Sequence, residues 1–434
     1  MKIIADLHLH SKFSRATSKS LDIPNLEKWA RVKGLNLLGT GDFTHPKWIE
    51  EIKSNLTEEN QGIFKTKTGM PFVLQSEVSL IYTDAGKGRR VHNVMLAPSL
   101  DVVAQITEYL KKKGRVDYDG RPIFKIPCNE FAENLMSISK DIEIIPAHIW
   151  TPWFGLLGSM SGFDSVEEAF KEKTKYIHAL ETGLSSDPMM NWRLSKLDKF
   201  ALISTSDSHS FWPWRIGREA TIFDLKELTY NSLITALRTK QGLTGTIEVD
   251  PAYGKYHWDG HRACNVCLSP KESMKLNKLC PKCGKEMTIG VEYRVEELAD
   301  REYGFKPKDA KIFYKVIPLS EIISSLISSG VASKKTWEIA NKLTARFGSE
   351  LNVLLEAPEE ELKKLVDQNL VDAIMKNRQG KIEIQPGYDG EYGIPIFKES
   401  DKKVFEKIDV NKIAKEQKVE KQAGLNQFNL NSII

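Results

Sequence analysis

Cysteine is scarce, five residues in 434, and four of the five fall between positions 264 and 283. A disulfide framework is therefore excluded for most of the chain. No apolar run is long enough to span a bilayer, so a membrane is not expected as a partner. An excess of either charge is also missing. Lys and Arg total 62 against 58 Asp and Glu, a net charge of +4, and charge alone identifies no polyanionic partner. Cys128, isolated before Asn129 and Glu130, reads as a buried structural thiol rather than a nucleophile. No leader is apparent, because Met1 to Leu7 runs directly into the first polar motif, so a soluble, cytoplasmic, monomeric protein is expected.

What the chain does have is histidine and carboxylate at regular places. Six of the nine histidines, His8, His10, His45, His92, His148 and His209, share the first half of the chain with Asp42, Glu77 and Asp207, each in or just after an apolar run. The runs are Ile3 to Ala5, Leu35 to Leu38, Phe72 to Leu74, Val91 to Leu96, Ile144 to Ile145, Ile177 to Leu180 and Ala201 to Ile203. Seven short buried strands are expected from them. Amphipathic stretches such as Ile23 to Val32 and Val102 to Lys112 lie between, and strand-helix alternation predicts a parallel sheet with polar groups at its carboxyl ends. Imidazole and carboxylate suit zinc, manganese or magnesium, so a multinuclear metal site follows. The structural alternative, a hydrogen-bonded core histidine, is assigned to His178. For Glu77 it fails, because an unpaired buried carboxylate costs several kcal/mol, on the order of the usual penalty for a buried charge. Cations about 3.5 to 4 Å apart lower the pKa of a shared water and clamp a phosphodiester under in-line attack.

His8-x-His10, the segment Thr40 to His45, Glu77, His92, Pro146-Ala147-His148 and Asp207-x-His209 together resemble the PHP (polymerase and histidinol phosphatase) family of metal-dependent phosphoesterases. The resemblance implies a distorted seven-stranded β/α barrel with a trinuclear centre. By motif, His8, His10, Glu77 and Asp207 would surround one ion, Glu77, His92 and His148 a second, and His45 with His209 a third, with Asp42 nearby. The family keeps the second-motif Asp and His adjacent, whereas Phe43 and Thr44 separate them here.

Cys264-x-x-Cys267 and Cys280-x-x-Cys283 have the spacing of a four-cysteine zinc ribbon, with structural Zn2+ as its ion. His257 and His261 just upstream are read as surface residues. From Pro318 onward the pattern is helical: Leu319 to Ser328, Lys335 to Phe347, Glu359 to Leu370 and Val371 to Arg378. This region resembles tandem helix-hairpin-helix units, although Val366-Asp367-Gln368-Asn369 replaces the usual glycine hairpin. From Glu399 the chain reads as a polar tether ending in Gln427, Leu430, Ile433 and Ile434, which resembles a sliding-clamp-binding peptide. The expected division is 1–250 barrel, 251–300 ribbon, 301–398 helical DNA-binding domain and 399–434 flexible tail.

In that order these parts resemble the endonuclease Q family of DNA-repair enzymes. The resemblance implies cleavage of the phosphodiester bond 5′ to hypoxanthine, xanthine, uracil or an abasic site, leaving a 3′-hydroxyl and a 5′-phosphate. The expected partners are damaged DNA and the sliding clamp. Reading one damaged base requires that it leave the stack. Loop aromatics beside the metal motifs, Trp150, Trp153 and Phe154 after His148, and Phe211, Trp212 and Trp214 after His209, are the candidates for a wedge or stacking surface, with Arg215 and Arg218 for phosphate. The competing functions are a histidinol-phosphatase-type phosphomonoesterase, which has little use for the ribbon, and a non-catalytic zinc-stabilised DNA-binding adaptor, which has little use for nine ligands.

Overall fold

The computed structural model describes residues 1–415. All seven apolar runs form strands: β1 (Lys2–Asp6), β2 (Leu37–Gly39), β3 (Pro71–Asp84), β4 (Lys87–Ala97), β5 (Glu143–Pro146), β6 (Ala179–Glu181) and β7 (Ala201–Ile203). β1, β2 and β3 are parallel, with Ala5 opposite Leu37 and Leu38 opposite Phe72, and β6 and β7 are parallel with Ala201 opposite Ala179. The sheet is nevertheless mixed rather than parallel. β3 and β4 form a long antiparallel hairpin from Leu74–Ala97 to Asp84–Lys87, and β4 pairs antiparallel with β5. Its turn residues Ala85 and Gly86 both have positive φ, 48° and 76°, the twist that closes a two-residue hairpin and leaves no room for a crossover helix. Isolated parallel bridges between Ile144 and Ile177, and between Leu9 and Ser208, link β5 to the start of β6 and the end of β1 to the end of β7.

Leu7, Leu37, Val73, Val94, Ile145, Ala179, Ala201 and Ile203 share one buried apolar cluster, so each apolar run anchors its strand and leaves the polar residue at or beyond its end to face elsewhere. β8 (Ala220–Asp224) adds antiparallel to β1, and β9 (Leu243–Glu248) adds antiparallel to β8. Helix α1 (Ile23–Lys33) starts where the Asp22 side chain accepts from the Asn25 N–H and stops at Gly34, whose φ of 103° suits only glycine.

The expected division of the chain is redrawn. Among the described residues, one compact unit comprises Met1–Pro251 with Ala299–Glu383, and the other Ala252–Leu298 with residues 384–415. The helical segment joins the first unit because β10 (Ile312–Lys315) pairs parallel with β9, Gly245 opposite Ile312. It carries α2 (Leu319–Leu326), α3 (Lys334–Phe347), α4 (Glu350–Leu355), α5 (Glu359–Lys363) and α6 (Gln368–Arg378). The single helix expected over 359–370 is broken, since Asp367 caps α6 by accepting from the Leu370 N–H at 3.1 Å. Within this unit the buried Lys33 ammonium at the end of α1 reaches Glu350 at 2.8 Å and the Pro213 carbonyl at 2.8 Å.

In the second unit the strands Asp259–His261 and Val266–Leu268 pair antiparallel. Its core joins Val266, Leu268, Leu276, Cys280 and Met287 to Val410, with Ile408, Ile413 and Ala414 packed against it. The stretch 408–414, expected as free tether, is therefore part of this core, because its apolar residues outweigh the surrounding charge. Among the described residues no helix is long and apolar enough to cross a membrane.

Candidate metal centre

Glu77 lies on β3, fully buried, opposite Val94 of β4. Its two oxygens face different partners. Oε2 is 3.4 Å from His8 Nε2 and 3.2 Å from His10 Nε2, while Oε1 is 2.7 Å from His92 Nδ1 and 3.4 Å from His148 Nε2. Asp207 Oδ1 completes the first group, 3.6 Å from His8 Nε2 and 3.0 Å from His10 Nε2. The donor atoms of His8, His10, Glu77 and Asp207 all lie within 4.8 Å of one another, as do those of Glu77, His92 and His148. His8 Nε2 and Glu77 Oε1 are buried without a well-aligned hydrogen bond, an arrangement suited to cations rather than to a self-contained polar core.

Burial works to raise the Glu77 pKa, but His92, Arg121 and His8 overcome it and hold the carboxylate well below its usual range. Burial likewise opposes ionisation of Asp207, yet His8 and His10 keep it ionised. Burial pushes the His92 imidazole down to about 4, in spite of Glu77, so at neutral pH it is an uncharged donor ready for a cation.

A surrounding layer aims the rings. Glu181 Oε2 sits 2.9 Å from His8 Nδ1, and Asp42 Oδ1 and Ser14 Oγ each sit 3.1 Å from His10 Nδ1, so in both rings Nε2 is the atom turned to the centre. Thr151 Oγ1 holds His148 Nδ1 at 3.0 Å. Asp42 is fully occupied: its Oδ2 accepts from Ser11 N (2.6 Å), Ser11 Oγ (2.6 Å) and Ser14 Oγ (2.8 Å). Three of these positions, Asp42, His148 and Asp207, have positive φ of 41°, 32° and 46°, which non-glycine residues adopt at a cost of about 1–3 kcal/mol each. Side-chain direction at the strand ends is thus obtained with a strained backbone.

The third expected grouping is not formed as a set of three donors among the described residues. His45 stacks on Phe13 with ring centres 4.4 Å apart, and His209 packs its ring 4.4 Å from that of His10, with Nδ1 2.9 Å from the Asp207 carbonyl. Of the aromatic candidates, Trp150 is fully buried, its Nε1 donating to Asn191 at 2.8 Å, and Trp214 is 8% exposed; both serve packing because their loops fold inward. Trp212 stacks on Trp214 at 5.0 Å, and with Phe211 it joins Trp29 of α1 and Trp337 of α3. Trp153 remains 36% exposed, and Phe154 lies 4.5 Å from the His92 ring. Arg218 turns back to the Ser206 carbonyl at 3.5 Å, and Arg215 is half-buried.

Sequence reasoning passed over Arg121, whose Nη1 is 3.2 Å from Glu77 Oε2, and the orienting role of Glu181. Glu181 carried a signal, a carboxylate ending an apolar run. Arg121, alone in a polar loop, carried none. In the smaller unit, Cys264, Cys280 and Cys283 converge, but the fourth donor within 4.8 Å is His261 and not Cys267. The surface reading of His261 is corrected, as is that of His257, which pairs with Glu292 at 3.3 Å. Gln427, Leu430, Ile433 and Ile434 lie outside the described residues.

Residues 318–381 match the family model of the MJ0043 C-terminal domain. The lesion-specific endonuclease PfuEndoQ from Pyrococcus furiosus shares 33% identity over 91% of this chain and 94% of its own, with a TM-score of 0.82. An endonuclease Q complex with a 27-mer duplex carrying an abasic lesion at the active site gives 33% identity, 91% and 96% coverage and a TM-score of 0.81. The uncharacterised YqxK of Bacillus subtilis is 30% identical over 90% of this chain and 98% of its own. MJ0043 of Methanocaldococcus jannaschii is 34% identical over 57% of this chain, a match that spans 31% of that longer protein.

Proposed function

This chain belongs to the endonuclease Q family, and from that premise we propose that it is a metal-dependent DNA-repair endonuclease cutting 5′ to deaminated bases or abasic sites. The observation that carries the reading is Glu77, one carboxylate whose two oxygens face two separate donor groups. A carboxylate shared in this way would hold two cations close enough to act together on a phosphodiester. The seven strands and the two isolated bridges fit a distorted barrel around that carboxylate.

Divalent ions bound there, Zn2+, Mn2+ or Mg2+, supply an acidified water and neutralise charge on the phosphodiester. The protein does the rest. Glu181, Asp42 and Ser14 fix which nitrogen of His8 and His10 points inward, so donors are in place before substrate arrives. His92 offers the second group a neutral ring, with His148 beside it. Arg121, 25% exposed by side chain and already drawn to Glu77, is positioned to move its guanidinium onto a phosphate oxygen. Phe154 lies against His92, and its sequence neighbour Trp153 is partly exposed, so a nucleotide turned out of the duplex would meet an aromatic face there. His45 and His209 would be the residues to hold a third ion, were one bound. The ribbon ion and the clamp-like peptide belong to the same reading as structural and recruiting elements.

The test is cleavage of end-labelled duplexes holding one hypoxanthine, uracil, xanthine, abasic site or normal base, with manganese, magnesium or zinc and with a chelator. A metal-dependent cut one bond 5′ to the lesion, with a 3′-hydroxyl, is expected. Intact duplexes together with phosphate release from small monoesters would overturn the proposal in favour of a phosphomonoesterase.

A further inference from the structure

The smaller unit holds two hairpins that correspond residue by residue. In one, Cys280 and Cys283 stand three apart, Gly284 follows with φ of 71°, and Cys280 N donates to Lys285 O at 2.7 Å with Leu279 bridged to Glu286. In the other, His261 and Cys264 stand three apart, Asn265 follows with φ of 51°, and His261 lies opposite Val266. In each, the first donor faces the residue five positions on, and the residue after the second donor is left-handed. Glycine and asparagine are the residues that accept that conformation most readily. Position for position, His261 takes the place of Cys280, Cys264 that of Cys283, and Asn265 that of Gly284.

Cys267 has no place in this arrangement. It corresponds to Glu286, one step beyond the turn, and pairs in the strand with Gly260. A knuckle closed by Cys264 and Cys267 would need its left-handed residue at Leu268, which is buried at 4% exposure and paired with Asp259. The donors themselves meet. Cys283 Sγ is 3.3 Å from His261 Nδ1, close to the edge of about 3.6 Å expected between ligands of a tetrahedral zinc with bonds near 2.0–2.3 Å. The first hairpin is also braced from outside. Arg262 N donates to Asp389 at 2.6 Å, and the Tyr388 hydroxyl donates to Asn265 Oδ1 at 3.1 Å, so the C-terminal part of this unit fixes the turn that presents His261.

We infer that the structural ion of this unit is held by His261, Cys264, Cys280 and Cys283, a site of three thiolates and one imidazole, and that Cys267 is a strand residue free of the ion. The assignment deepens the ribbon part of the proposed function, and its test does not depend on nuclease activity. Full-length protein loaded with Co2+ shows sulfur-to-cobalt charge-transfer absorption only from thiolate ligands, so the nitrogen and oxygen donors around Glu77 are silent. Cys267→Ala should leave that band and its resistance to a chelator unchanged. His261→Ala should lose chelator resistance, and His261→Cys should restore it with a stronger band from a fourth thiolate. Loss of the band in Cys267→Ala, whether or not His261→Ala also loses it, would overturn the assignment. Retention of wild-type chelator resistance in His261→Ala would do so too. The failure of either leaves the lesion-cutting reading to its own assay.

Discussion

The donors around Glu77 come from positions 8 to 207, in or just after five different strands, and are nearly all buried, whereas the smaller unit draws its four from two short turns within positions 261 to 283. The first group is aimed by a further layer of carboxylates and hydroxyls and rests on an extensive apolar core. The second rests, among the described residues, on a smaller apolar cluster that includes Val266, Leu268, Leu276, Cys280, Met287 and Val410. A large core can hold dispersed donors in register without the ion, while a small one depends on the ion to exist. Binding and folding should therefore be separable in one unit and a single event in the other.

Metal removal gives the largest expected contrast. With structural zinc worth about 10–16 kcal/mol in small ribbons, chelation should raise amide exchange throughout 259–287 while β1 to β5 stay protected; equal loss in both regions would break the comparison. Asp207→Asn comes next. It should lower cleavage on the order of a thousandfold with duplex affinity and melting temperature retained, and a variant that still cuts would remove Asp207 from the centre. Lys33→Ala leaves Glu350 buried and unpaired, which should destabilise the larger unit by about 3–5 kcal/mol. Urea unfolding measures this, and an unchanged midpoint would show that the helices contribute little to the sheet they join. Glu181→Gln should weaken metal affinity or rate about ten- to a hundredfold, because His8 loses its orienting charge; calorimetric titration with manganese reads it directly.

A further prediction concerns pH. Burial pushes the Glu248 carboxyl up to about 8, and burial together with the neighbouring Glu248 pushes Glu219 well above its usual range. The folded state then keeps protons that the unfolded chain releases at its ordinary carboxylate pKa. Stability should fall as pH rises from that range toward and past neutrality. Glu248→Gln should flatten the slope between about pH 5 and pH 8, and an equal slope in the variant would rule out this carboxyl as its source.

Much of the larger site was legible because its chemistry is written at the ends of apolar runs. A strand needs hydrophobic residues to be buried, so histidines and carboxylates that recur in or just after one run after another stand out as a donor set, even though single cases such as His178 pair with a neighbouring carboxylate instead. The parallel sheet expected from the same runs was wrong at one point, since two residues at Ala85 and Gly86 decide between a hairpin and a crossover. Arg121 could not be found, for a single arginine in a loop has no period to betray it. Trp150 and Trp214 looked the same in sequence as Trp153, and only the inward fold of their loops separates packing from exposure. In the smaller unit, counting cysteines concealed the pattern, because the informative residue was Asn265. The helical segment joined the larger unit through a strand, Ile312–Lys315, that its helical neighbourhood masked.

The left-handed backbone at Asp42, His148 and Asp207 bears on how such a protein can change over generations. Glycine would relax the backbone at any of the three, but at Asp42 it would also leave the buried donors of Ser11 and Ser14 without their acceptor, and at His148 it would remove the ring nitrogen bonded to the Thr151 hydroxyl. Strain and side-chain bonding thus fall on the same residues and oppose each other. A library sorted for folding alone should give up Asp207 before Asp42, and holding Asp207 in place requires selection for cutting itself.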